Sequence, residues 1–147
     1  AFASALCESL GGGVVTLGGE SSESHYLDNT QEFADRFTKM LELGCMTKPV
    51  KLIMPLVNWT KIKELRWGYK NNFDWVYSMT WSCDQALKDR NGNFIPCGIC
   101  GCCNSRRFAY HKLGYDDPQH YLDNEYFFKI FLPEYEARKQ EVKFRYE

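Results

Sequence analysis

Val14-Val15-Thr16-Leu17, a β-branched run set between Gly11-Gly12-Gly13 and Gly18-Gly19, reads as a short buried strand of a parallel sheet. Upstream, Phe2, Leu6 and Leu10, with Ala5 between them, recur at helical spacing, and the three glycines stop that helix. Downstream, Ser21 to Thr30 is polar and turn-rich. It follows the C-terminal end of the strand, where open α/β sheets hold their ligands, so it is a candidate substrate loop. Gln31 to Leu43 then places Phe33, Phe37, Met40 and Leu41 on one helical face and Glu32, Asp35, Arg36 and Lys39 on the other, with Gly44 at its end. Lys51-Leu52-Ile53-Met54 reads as a second strand, and Thr60 as the N-cap of a helix from Lys61 to Trp67 stopped by Gly68. Helix and strand alternate, which predicts the α/β class.

From Asn71 the composition changes. Phe73, Trp75, Tyr77 and Trp81 crowd together, then come the clustered cysteines, and no later run reads as a core strand. The boundary is placed near Ser82, giving an α/β portion over 1–82 and a cysteine-rich, helical portion over 83–147. Within the latter, Arg106 to Leu113 predicts a short helix, Tyr126 to Leu132 is an apolar stretch, and Pro133 to Lys143 predicts a charged helix with Pro133 at its first position.

The 147 residues are 44% hydrophobic and 16% aromatic, enough for a real core, which argues against disorder or a fibrous repeat. A formal net charge of −1 argues against an extended nucleic-acid surface. The apolar run Leu52 to Val57 contains Pro55 and is far short of the ~20 residues a bilayer crossing needs. The chain opens on Ala1 without a secretory signal, so it is read as starting mid-protein. Seven cysteines, four of them within Cys97 to Cys103, fit reduced intracellular thiols or metal ligands better than disulfides, and the cytoplasm is the expected compartment.

Cys83, Cys97, Cys100 and Cys103 are spaced C-x13-C-x2-C-x2-C, with Gly98 and Gly101 after the second and third. Two C-x2-C steps let thiolates converge on one ion through tight turns, for which glycine can supply positive φ. Four soft thiolates imply tetrahedral zinc first, and a sphere closed by four protein ligands leaves no position for water, so the zinc is expected to be structural. Cys102 offers an alternative through C-x-C from Cys100, although Cys103 is favoured. An iron–sulfur cluster accepts similar spacings.

Thr80-Trp81-Ser82-Cys83, Cys97-Gly98-Ile99-Cys100, Cys103, Arg106, Phe108-Ala109, Gly114, Asp117-Pro118 and Tyr121 together resemble the C-terminal half of the 7-cyano-7-deazaguanine synthases of the queuosine pathway. Upstream, Tyr26, Asp28, Glu32 and Phe33 resemble that family's Tyr-Pro-Asp-Cys-Arg-x-Glu-Phe segment, and Pro55-Leu56, Thr60-Lys61 and Glu64 its strand-to-helix step. The resemblance implies a Rossmann-like PP-loop ATPase sheet followed by a helical zinc-binding subdomain. It implies an ATP-dependent ligase that activates the carboxylate of 7-carboxy-7-deazaguanine as an acyl-adenylate, with Mg accompanying the ATP. Ammonia displaces AMP, and a second activation dehydrates the amide to a nitrile. The family's zinc is structural.

On this reading Asp28 could accept from the amino and ring N–H edge of the deazaguanine, or cap a turn. Tyr26 and Trp81 could stack on the base, or serve as core. Lys61 and Arg106 could meet phosphate, or be a solvated helix lysine and, with Arg107, a helix surface pair. His25, His111 and His120 receive no chemistry.

Three departures from the family pattern stand out. Its Ser-Gly-Gly-x-Asp-Ser pyrophosphate loop is absent, and Gly11-Gly12-Gly13 follows a helix where that loop follows a strand. The sequence is therefore read as the C-terminal portion of a longer protein, or as one chain of a split enzyme with a separate N-terminal half, and these residues alone are expected not to hydrolyse ATP. A homodimer is the other partner considered. Leu27, Asn29 and Thr30 stand where the family has Pro, Cys and Arg, which opens the identity of the acid. Asp84 to Pro96 is a long insert between the first two ligands, expected to lengthen a surface loop. The reading of a different class is a non-catalytic zinc ribbon that docks a protein or nucleic acid through Arg106, Arg107 and nearby aromatics.

Overall fold

The computed structural model describes residues 1–20, 26–85 and 87–146, with side chains through residue 139. His25 and the loop residues 21–25 lie outside the described residues. The chain forms two compact units, Ala1–Thr60 and Lys61–Glu147.

The first unit runs α1 (Phe2–Ser9), β1 (Gly13–Thr16), α2 (Gln31–Gly44) and β2 (Val50–Ile53). The strands pair in parallel, with Gly13 opposite Val50 and Thr16 opposite Ile53, so β1, α2 and β2 make one strand–helix–strand crossover. Thr30 caps α2, its hydroxyl accepting from the Phe33 N–H at 3.1 Å. The helix lays Ala34, Phe33 and Phe37 on Leu52, Met54, Val57 and Val15. Thr38 fixes the helix to the strand: its Oγ1 accepts from the Leu52 N–H at 3.1 Å and donates to the Leu52 carbonyl at 3.2 Å.

Two expectations are corrected here. β1 is parallel but not buried, with Val14 55% exposed, because among the described residues it has a neighbour on one edge only. Met40 is 54% exposed, and Ala34, deeper on the same helix, has the central place in the core.

The second unit runs α3 (Lys61–Lys70), α4 (Asp74–Tyr77), α5 (Gly101–Leu113) and a π-helical turn, Phe127–Phe131, that continues into α6 (Leu132–Tyr146). Gly68 does not stop α3. It lies inside the helix because the Tyr77 ring occupies the space a Cβ would need, and the Tyr77 hydroxyl donates to the Glu64 carbonyl at 2.9 Å. Leu65 of α3 packs with Ala109 and Tyr110 of α5, so by packing the second unit begins at Lys61, upstream of the compositional change at Ser82.

α5 starts five residues before the predicted Arg106, inside the cysteine cluster, and ends on Gly114 in the left-handed conformation. Pro133 sits second in α6, carried in by the π-helical turn, where Phe127 stacks on Phe131 at 5.6 Å. The insert 84–96 folds back on itself through a bridge of Lys88 to Phe94, its turn tied by Asp89 accepting from the Asn91 and Asn93 N–H groups. Among the described residues no helix is long and apolar enough to cross a membrane.

Candidate metal centre

Cys83 stands on the segment leaving α4, Cys97 closes the insert, Cys100 is the N-cap of α5, and Cys103 lies in that helix's first turn. Their four sulfurs all lie within 4.8 Å of one another. Sulfurs around a tetrahedral ion with metal–sulfur bonds of about 2.3 Å stand about 3.8 Å apart. Cys97 Sγ and Cys103 Sγ are 3.9 Å apart, so the donor set fits a metal ion. Cys103 thus belongs to the set and Cys102 does not, because the helix turns residue 102 away from residues 100 and 103.

The backbone is arranged for negative sulfur. Cys83 Sγ accepts from the N–H groups of Gln85 and Cys97, both at 3.3 Å. Cys97 Sγ accepts from Ile99 at 3.4 Å and Cys100 at 3.3 Å, and Cys100 Sγ from Cys103 at 3.4 Å. Each such N–H favours the thiolate a metal requires. Burial pushes the Cys100 thiol up, but the N–H groups of Asp84 and Cys103 outweigh it and bring the pKa down to about 7. Burial dominates at Cys97 and Cys103 and raises both. Cys102 is pushed up to about 11 by burial and by the neighbouring Asp84.

Only one of the two glycines flagged for positive φ has it. Gly98 has φ +83°, and a Cβ there would overlap the Asp123 carbonyl. Gly101 is simply the first residue of α5.

The motif residues around the cysteines support them. Arg106 is 5% exposed. Its Nε donates to both Asp117 oxygens at 3.0 and 3.1 Å, its Nη1 to Thr80 Oγ1 at 2.7 Å, and its Nη2 to the Tyr77 carbonyl at 3.0 Å. With all three nitrogens engaged, the expected phosphate contact has no free guanidinium edge; Arg106 is a buried clasp between α5 and the segment leading to Cys83. Asp117 also accepts from the Tyr121 hydroxyl at 2.6 Å, and Tyr121 packs on the cysteines. Burial, reinforced by Asp117, raises the Tyr121 pKa.

Arg107 is equally withdrawn from the surface. It donates to the carbonyls of Gly98, Asp123 and Asn124 and lies over the rings of Tyr121 and Phe127 at 4.8 and 4.9 Å. The surface pair that a nucleic-acid docking module would use is therefore absent. Sequence reasoning assigned no role to Asp123 and Asn124, whose contribution is backbone carbonyl and carries no residue signal.

The remaining candidates divide between the units. Tyr26 and Asp28 are exposed in the turn before α2. Asn29 Nδ2 donates to the Glu20 carbonyl, and Thr30 is spent as the α2 cap. In the second unit Lys61 opens α3 and Trp81 is 47% exposed, its indole N–H donating to the Cys83 carbonyl at 2.8 Å. A cavity of about 340 Å³ lies against Trp81, Cys83, Asp84, Gln85 and Phe94.

The chain is similar to known proteins over most of its length. The family model of queuosine biosynthesis protein QueC matches residues 1–114. The 7-cyano-7-deazaguanine synthase of Methanothermobacter thermautotrophicus is 30% identical over 119 residues, 80% of this chain and 50% of that protein. That of Methanococcus maripaludis strain S2 is 34% identical over 125 residues, 82% of this chain and 52% of its own length. The Clostridium kluyveri synthase is 31% identical over 126 residues, with the same shares. The chain thus spans about half the length of the curated relatives it matches. With the matched region holding all four clustered cysteines and the Thr80–Arg106 clasp around them, the chain belongs to the QueC family of queuosine biosynthesis proteins.

Proposed function

We propose that these residues are the metal-stapled half of an ATP-dependent synthase that converts 7-carboxy-7-deazaguanine and ammonia to 7-cyano-7-deazaguanine in the cytoplasm. The observation that carries this reading is the convergence of Cys83, Cys97, Cys100 and Cys103 inside the span matched to a family whose relatives bear that name. Zinc is the ion assigned to the cluster. When bound, it replaces four thiol protons and ties the segment after α4 to α5. Cys83, Cys97, Cys100 and Cys103 would hold it through four protein sulfurs, and the chemistry it would supply is structural cross-linking.

The chemistry needs a carboxylate oxygen turned into a leaving group. The acid's oxygen attacks the α-phosphorus of ATP, held with Mg, and pyrophosphate departs. Ammonia then displaces AMP from the acyl-adenylate to give the amide; a second ATP adenylates the amide oxygen with loss of pyrophosphate, and that oxygen leaves with AMP as the nitrogen gives up its two protons, which yields the nitrile. In this scheme residues 1–82 belong to a Rossmann-like PP-loop sheet, and the cysteine subdomain over 83–147 follows. In the first unit, Asp28 accepts from the N–H edge of the base and Tyr26 stacks on it.

Thr30 cannot replace the family arginine as a cation, and Arg106 is committed to Asp117, so the acid's carboxylate is met by other groups. Incubating the whole protein with ATP, ammonium and 7-carboxy-7-deazaguanine should yield AMP and the nitrile. AMP formed only with another acid would sink the substrate assignment.

A further inference from the structure

α5 buries two successive arginines that differ in what balances their charge. A guanidinium taken out of water is costly unless a negative group stands against it. Arg106 has the Asp117 carboxylate 3.0 Å from its Nη2. Arg107 is 7% exposed, and among the described residues no carboxylate stands within ion-pair distance of it. The two nearby acids are committed elsewhere. Asp117 serves Arg106 and the Tyr121 hydroxyl, and Asp123 Oδ1 accepts from the N–H groups of Glu125 and Tyr126, both at 2.8 Å. What Arg107 touches is neutral: the carbonyls of Gly98, Asp123 and Asn124, and the faces of the Tyr121, Phe127 and Phe128 rings.

These contacts lead to the sulfurs. Gly98 lies inside the Cys97–Cys100 turn, and the Asp123 N–H donates to the Cys97 carbonyl at 3.1 Å. The Tyr121 ring, its centre 4.8 Å from the guanidinium carbon, packs in one cluster with the cysteines. Along α5, Arg107 follows Cys103 by one helical turn, so the two side chains share a face. A long side chain on a helix leans towards the N-terminus, which is the end of α5 that holds Cys100 and Cys103. Burial lowers the Arg107 pKa, whereas Tyr121, Asp117, Asp123 and Cys103 favour its charge. Four thiolates around a divalent ion leave two negative charges in excess. Backbone N–H dipoles soften that excess, and a whole positive charge beside it offsets far more.

We infer that Arg107 is the counter-ion of the metal–thiolate centre, its guanidinium held over Tyr121 one turn from Cys103 so that its charge offsets the four thiolates. It is a positioning residue and binds no metal itself. This role needs a divalent ion at the four cysteines and is independent of the synthase chemistry.

The test compares Arg107→Lys, which keeps the charge and loses the planar fork, with Arg107→Gln, which loses the charge and keeps an amide to donate to the carbonyls. Zinc affinity of each 147-residue chain is measured by competition with a chromophoric chelator. The sulfur-to-metal charge-transfer band is then read on the same chains loaded with cobalt(II). A counter-ion predicts that Arg107→Gln binds zinc at least about tenfold more weakly than Arg107→Lys. The cobalt band of Arg107→Gln should also lie at lower energy than that of Arg107→Lys or the parent, because sulfur without a neighbouring cation gives up electron density more readily. An arginine that only braces the three carbonyls predicts the reverse order of affinities. Equal affinities in the two variants, weaker binding by Arg107→Lys, or an unshifted band in Arg107→Gln would each overturn the inference. Loss of folding in both variants counts as the first of these, since neither then holds zinc.

Discussion

Cys103 and Cys102 are adjacent thiols with opposite fates, because α5 carries one into the sulfur cluster and the other beside Asp84. Cys103→Ser should lower zinc affinity by at least about 100-fold, beyond what loss of a supporting group costs, while Cys102→Ser keeps one zinc per chain by elemental analysis. The pH dependence follows from the protons. Burial holds protons on Cys97 and Cys103, and zinc must displace them. Uptake near pH 7 should therefore release about two protons or more, and affinity should fall as pH drops through the Cys100 value of about 7. Calorimetry in buffers of different ionisation enthalpy measures both. Arg106→Ala leaves the buried Asp117 carboxylate without its cation and removes the donors that clasp Thr80 and the Tyr77 carbonyl, and should cost about 3–5 kcal/mol of stability in urea titrations.

At the level of elements, α3 runs through a glycine that propensity alone would place at a helix end. Alanine is the better helix former by about 1 kcal/mol, yet Gly68→Ala should destabilise the chain by about 1–3 kcal/mol, because its methyl would overlap the Tyr77 ring. Urea unfolding of Gly68→Ala against the parent chain gives the sign directly; a gain in stability would mean that the ring moves aside freely. The C-G-I-C turn raises the same question at Gly98, where both the positive φ and the Asp123 carbonyl exclude a side chain. Gly98→Ala should weaken zinc by about 10–100-fold, the range for residues that orient ligands without binding metal.

Across the whole chain the two units draw on different sources of stability. The first has an apolar core of Ala34, Leu52, Met54 and Val57, whereas one core of the second consists of the cysteines and Tyr121. Chelation should therefore unfold the region around α5 and leave β1, α2 and β2 intact, visible as amide exchange that accelerates at Phe108 and Ala109 but not at Ala34 or Leu52. Acceleration at both would mean that the first unit also depends on the metal.

The amino-acid sequence by itself determined the α/β alternation of the first unit and the four-cysteine donor set. Hydrophobic period and ligand spacing are local properties, and the motif residues from Thr80 to Tyr121 identified the family before any contact was known. Tertiary structure alone decided what those motif residues do. Arg106 could be read as a phosphate cation until Asp117, eleven residues on, was found against its guanidinium. Gly68 could be read as a stop until Tyr77 filled the space beside it. A β-branched run reports the preference of a strand, whereas exposure depends on which neighbours cover it, and Val14 of β1 lies open. A residue's type and spacing carry its own chemistry, but its partner is chosen by packing, which brings together residues that no local pattern connects.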